Sequence, residues 1–209
     1  MLTILCTLAV PGPHGSAAER PVSIVALGDS LTAGLGLRAD EAFPAKLARA
    51  LAAKGQAVEI VNAGVSGDTA SAGLSRVDWS VPEGADAVIL ELGANDALRG
   101  LDPKLTEKAL SAILDRLKER HIPVLFCGMR APRNLGPDYA RAFDAIFPAL
   151  AGREDVVFYP FFLDGVAGDP RLNQQDGIHP NAAGVDVIVD RILPSVEQLL
   201  ARLRGARRS

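Results

Sequence analysis

Cysteine is scarce: the chain has two in 209 residues, which rules out a disulfide scaffold. Histidine is scarcer than a metal protein needs, because three His and two Cys leave little for a structural zinc site. An excess of positive charge is also missing. Lys plus Arg number 22 against 25 Asp plus Glu, a net charge of −3, so the chain has no electrostatic footprint for nucleic acid. No apolar run reaches the ~20 residues that a membrane span requires. Internal repeats, low-complexity tracts and interdomain linkers are absent too. What is present is ordinary globular composition, 48% hydrophobic and 22% charged, in a length that favours one domain with a full core.

The first residues stand apart. Residues 1–18 contain no Lys, Arg, Asp or Glu, and residues 2–10 form an apolar run with the length of a signal-peptide core. Pro11, Gly12 and Pro13 break any helix there, and Ser16-Ala17-Ala18 supplies the small residues of a cleavage site. Two features depart from export patterns. No Lys or Arg precedes the run, and Leu5 before Cys6 is not the small residue of a lipobox. The competing reading is a buried first strand. We expect a signal peptide over residues 1–18, cleavage after Ala18, one domain over 19–209, and a periplasmic or secreted product without an integral membrane segment. Removing Cys6 leaves Cys127 alone, so no intramolecular disulfide is expected.

Beyond that point apolar runs alternate with amphipathic segments. Val22–Leu27, Val58–Val61, Ala87–Leu92 and Ile122–Cys127 are short and rich in β-branched residues, and read as buried strands. Val156–Tyr159 is a weaker fifth. Phe43, Leu47, Ala50 and Leu51 share a helical face, as do Leu110, Ile113, Leu114 and Leu117. A last helix is expected from Asn181 to Leu203, with Val185, Ile188, Val189 and Ile192 inward and Pro194 kinking or interrupting it. Strand–helix alternation points to an α/β fold, a parallel sheet with helices on both faces. Ligands bind such sheets beyond the carboxyl ends of the strands, so functional residues belong just after strands.

Four segments meet that condition. Gly28-Asp29-Ser30-Leu31 follows the first strand, and Asn62 to Asp68 follows the second. Gly93-Ala94-Asn95-Asp96 follows the third, and Asp176-Gly177-Ile178-His179-Pro180 precedes the last helix. Each alone reads as an ordinary capped turn. Together they supply the parts of nucleophilic catalysis. Ser30 opens a helix, whose unpaired N–H groups and positive end favour an oxyanion. A serine needs a base. His14 lies in the expected signal and His121 precedes a buried strand, which leaves His179. Asp176, three residues earlier across Gly177, is spaced to hold its imidazole. The Ser30 N–H, the Gly64 N–H (with no Cβ to obstruct approach) and the Asn95 amide offer three donors for a tetrahedral oxyanion.

These four blocks, in this order, resemble those of the SGNH (GDSL) hydrolases over about residues 22–200. Val61 to Thr69, Ala97 to Gly100 and Tyr159-Pro160-Phe161-Phe162 are similar in particular to the bacterial periplasmic thioesterase/protease/lysophospholipase group, also called arylesterases. The resemblance implies a flavodoxin-like α/β/α fold with a five-stranded parallel sheet. It implies Ser30 as nucleophile, Asp176 and His179 as its partners, Ser30, Gly64 and Asn95 as oxyanion donors, and neither cofactor nor metal.

The expected activity is therefore that of a monomeric serine esterase cleaving small-molecule or lipid esters and thioesters. A carbohydrate O-acetylesterase is the alternative that the same constellation supports. Position 32 is Thr, so the Gly-x-Ser-x-Gly elbow of α/β-hydrolases is absent. Ser66 has no base of its own and reads as a loop former. Gly34 to Ala39 fits the Gly-x-Gly-x-x-Ala dinucleotide pattern, the basis of a nucleotide-binding alternative, but starts too far from the first strand. Candidate substrate contacts are Leu35, Leu98, Arg99, Leu135, Phe161 and Phe162, with Arg130 and Leu163 beside them. Residues 97–100 are a candidate mobile rim.

Overall fold

The computed structural model describes residues 20–153 and 155–206. The expected signal peptide, with Cys6 and His14, lies outside the described residues. Five strands alternate with helices: β1 (Val22–Gly28), β2 (Val58–Gly64), β3 (Ala87–Glu91), β4 (Val124–Cys127) and β5 (Val157–Tyr159). All pair in parallel, in the spatial order β2-β1-β3-β4-β5. This is the flavodoxin-like order, and its chain direction reverses at β1, which opens a crevice between the carboxyl ends of β1 and β3.

The central strands are dry because helices cover both faces. Every residue of β3 and β4 is buried, as expected of continuous apolar runs in a parallel sheet. Each large aliphatic side chain so buried is worth about 1.5–3 kcal/mol. On one face lie α2 (Phe43–Ala53) and α8 (Ala182–Ala206), packed on each other. On the other lie α3 (Ala70–Ser80), α5 (Pro103–Glu119) and α7 (Ile146–Arg153), joined by α6 (Pro137–Asp144). The stripes expected for α2 and α5 face inward: Phe43, Leu47 and Leu51 in one, Leu110, Ile113, Leu114 and Leu117 in the other. Asp102 caps α5 by accepting the Lys104 N–H at 3.0 Å, and Pro103 occupies the first turn where its missing N–H is harmless.

Three expectations need correction. The Val58–Val61 run is not a buried strand: β2 is an edge strand, its outer residues are exposed, and Val61 retains 38% of its surface. Asn62, Ala63 and Gly64 do not follow that strand but complete it, in register with Ala26, Leu27 and Gly28. Pro194 does not interrupt α8, which runs on to Ala206 because Val196, Leu199, Leu200 and Leu203 keep its later turns in the core.

Candidate active site

The first strand ends in a tight turn. Asp29 caps the single-turn helix α1 (Ser30–Ala33) by accepting the Leu31 N–H on Oδ1 at 3.0 Å. Ser30 opens that helix and is 7% exposed. Its hydroxyl lies 2.9 Å from His179 Nε2. On the far side of the ring, Nδ1 lies 2.6 Å from Asp176 Oδ2. Gly177, at φ 70°, makes the turn between acid and histidine. Asp176 Oδ1 also accepts the Ile178 and His179 N–H groups, at 2.9 and 3.0 Å. Those backbone bonds, with the ring bond, lower the Asp176 carboxyl to about 2. The carboxylate is therefore ionised and acceptor-only, so Nδ1 carries a ring proton and Nε2 is the nitrogen that faces Ser30.

The third block forms the other wall. Gly93, at φ 115°, precedes α4 (Ala94–Leu98), which carries Asn95 and Asp96. The Asn95 amide donates to Asp29 Oδ2 at 3.0 Å. Asp96 points away and has a structural task. Its two oxygens accept the Ala70 N–H at 2.8 Å and the Thr106 hydroxyl at 3.0 Å, tying α3 and α5 to α4. Burial raises its carboxyl despite those bonds.

Two expected oxyanion features differ in detail. The helix that Ser30 opens has only four residues, so its macrodipole is slight. The Gly64 N–H donates to Asn62 Oδ1 at 3.0 Å. The missing Cβ at position 64 also answers to packing rather than to ligand approach. A Cβ there sits 2.3 Å from Ala33 N, 2.7 Å from Ala33 Cα and 2.9 Å from Asp29 O, inside the backbone of the Ser30 turn.

A buried cation missed in the sequence braces this region. Arg76 of α3 pairs with Asp68 at 2.6 Å and donates to the carbonyls of Gly28 at 2.8 Å and Ala63 at 2.9 Å. It thereby clamps the ends of β1 and β2. Nothing local marks Arg76, since its partners belong to three separate segments.

A cleft of about 620 Å³ opens above Ser30, Asn95 and His179. Its walls include Leu98, Met129, Phe161, Leu163 and Ile178, and the Arg130 guanidinium sits 4.7 Å over the Phe161 ring. Of the six candidate substrate contacts, Leu98 and Phe161 line this cleft and the other four do not. Phe162 is fully buried edge-on to Phe43, with ring centroids 5.0 Å apart. Arg99 is tied to the Gly67 carbonyl at 2.8 Å. Leu35 and Leu135 are exposed and stand outside the cleft walls. Gly34 is a left-handed helix cap bonded to the Ser30 carbonyl at 3.1 Å, which accounts for the first glycine of the dinucleotide-like run without a phosphate.

Known proteins are similar to this chain in sequence and in fold. The sequence profile of the GDSL-like lipase/acylhydrolase family matches residues 26–187. The chain is 36% identical over 179 residues to the esterase TesA of Pseudomonas aeruginosa, covering 85% of this chain and 89% of that one. It is 38% identical over 179 residues to thioesterase 1/protease 1/lysophospholipase L1 of Escherichia coli, covering 85% of each. Among solved structures, AlinE4, an SGNH-hydrolase family esterase, superposes with a TM-score of 0.74 at 47% identity, over 88% of this chain and 99% of that one.

Proposed function

The chain belongs to the GDSL-like lipase/acylhydrolase family and is an ester-hydrolysing enzyme, and from that premise we propose that it is a serine esterase working through an acyl-enzyme on Ser30. The observation that carries this reading is the continuous path from Ser30 Oγ through His179 to Asp176, at 2.9 and 2.6 Å, on the floor of an open cleft.

Ser30 Oγ attacks the ester carbonyl carbon while His179 Nε2 takes its proton. The carbonyl π pair moves to oxygen, and the resulting oxyanion accepts hydrogen bonds from the Ser30 N–H and the Asn95 amide. Gly64 joins them once the Asn62 carboxamide turns from its N–H. The imidazolium, stabilised by ionised Asp176, protonates the departing alkoxide or thiolate as the C–O or C–S bond breaks. Water, deprotonated by the same Nε2, then attacks the acyl-enzyme, and Ser30 leaves with the proton returned.

The apolar walls favour an acyl chain over a bare acetyl group. Aryl esters, acyl thioesters and lysophospholipids fit; a carbohydrate O-acetylester leaves most of the cleft unfilled. The enzyme acts as a monomer without a cofactor. The uncharged leader over residues 1–18 supports export, and among the described residues no helix is long and apolar enough to cross a membrane. A panel of p-nitrophenyl esters from acetate to laurate, beside acetylated xylan, tests the substrate class. Rising kcat/KM with chain length supports the lipid reading, and preference for the acetylated polysaccharide overturns it.

A further inference from the structure

Behind the Ser30 turn lies an acid that ester hydrolysis leaves unused. Glu91 ends β3 at the centre of the sheet, between Gly28 of β1 and Cys127 of β4, and is fully buried. Its Oε2 accepts the Thr32 hydroxyl at 2.8 Å and the Asp29 N–H at 3.4 Å. Its Oε1 has no hydrogen-bond partner, and Glu91 makes no ion pair, among the described residues. The turn is built around it: a Cβ on Gly28 meets Thr32 Oγ1 at 2.1 Å and Glu91 Oε2 at 2.7 Å. The first glycine of the Gly-Asp-Ser block is thus the room this carboxyl occupies.

A second buried carboxyl, Asp29, stands beside it. Asp29 is held as an anion would be, accepting the Leu31 N–H and the Asn95 amide and facing His179. Glu91 has one hydroxyl and one long N–H contact. Arg76, the buried cation of α3, is occupied by Asp68 and two carbonyls, and from β4 the only titratable neighbour is the buried Cys127 thiol. Two charged carboxylates in one dry pocket are not tenable. Burial and the facing Asp29 hold the Glu91 carboxyl well above the usual range.

We propose that Glu91 is a positioning residue of the ester-hydrolysing site, acting as the uncharged acid: it braces Thr32 and the Asp29 backbone and leaves Asp29 the single negative charge that fixes the Asn95 amide. The proposal rests on the roles given to Ser30 and Asn95 above. Deprotonated Glu91 repels Asp29 and loosens the donor that Asp29 holds, although Glu91 itself never touches substrate.

The test compares wild type, Glu91→Gln and Glu91→Met in the full chain. At pH 7 the infrared difference spectrum of wild type minus Glu91→Gln shows the C=O stretch of a protonated carboxyl. With p-nitrophenyl acetate, Glu91→Met lowers kcat about tenfold or more at unchanged KM, and Glu91→Gln restores it to within about threefold of wild type. Absence of the protonated-acid band overturns the proposal, whether or not Glu91→Met folds. So does a Glu91→Met enzyme as fast as wild type. A fluorophosphonate that labels wild-type Ser30 in the same preparations leaves the esterase reading intact in either case; no label on Ser30 overturns that reading instead.

Discussion

The buried carboxylate of Asp29 and the side-chain amide of Asn95 lie 3.0 Å apart, joining the residue before the proposed nucleophile to the loop after β3. One amide N–H is thereby spent on orientation, which leaves the other for the proposed oxyanion. Replacing Asn95 by Ala therefore lowers kcat by about 10²–10³ with little change in KM. Steady-state kinetics with p-nitrophenyl butyrate measure this. A near-normal kcat removes Asn95 from the donors.

Asp29 carries a pH signature of its own. Burial raises its carboxyl from 3.8 to about 6. In the unfolded chain it returns to its ordinary value, so across that window the native state binds the extra proton. Its contribution to stability is present in full below the window and is lost as pH rises through about 6. Asp29→Asn cannot ionise and escapes that loss. The difference in Tm, variant minus wild type, becomes more positive between pH 4 and pH 7 in thermal scans. The same variant loses kcat, because a carboxamide whose oxygen accepts the Leu31 N–H turns its own N–H groups toward Asn95. A Tm difference independent of pH contradicts the assignment.

Gly64 is required by packing against α1. Gly64→Ala pushes a methyl into the Ala33 backbone, at 2.3 Å from its nitrogen, and destabilises the fold by about 1–3 kcal/mol. Urea unfolding reads the loss directly. An unchanged midpoint shows that the glycine is there for another reason.

Phe161 lines the cleft above Ser30, where the proposed acyl chain would lie. Phe161→Ala removes an apolar face and the seat of Arg130, and raises KM for p-nitrophenyl octanoate about tenfold while acetate changes by less than about threefold. Equal effects on both esters place the acyl chain elsewhere.

Sequence and fold agree where the signal is local. The runs that became β1, β3 and β4 are apolar and short, and the stripes of α2 and α5 are regular, so these elements were legible. Ser30 and Asn95 stood out as candidates because parallel topology places ligands just after strands; Asp176 and His179, which precede α8, stood out because a serine needs a base and the acid is spaced to hold it. Missed features depend on distant partners. Glu91 looks like the polar end of a strand until Gly28 and Thr32 close over it. Arg76 looks like a solvated helix residue until β1 and β2 present their carbonyls. Phe162 and Phe161 are adjacent and chemically alike, yet one packs on Phe43 and the other lines the cleft, a choice made by the turn after β5. In α3 the weak apolar stripe concealed a helix whose Thr69 cap and close fit of Gly73 against Leu92 are visible only in three dimensions.

The central claim is that Ser30 forms the acyl-enzyme. Incubation with a fluorophosphonate, followed by peptide mass spectrometry, places one adduct on Ser30 in the wild type, and Ser30→Ala takes up no label and turns over no ester. Label on another residue, or Ser30→Ala hydrolysing p-nitrophenyl butyrate at the wild-type rate, contradicts the account.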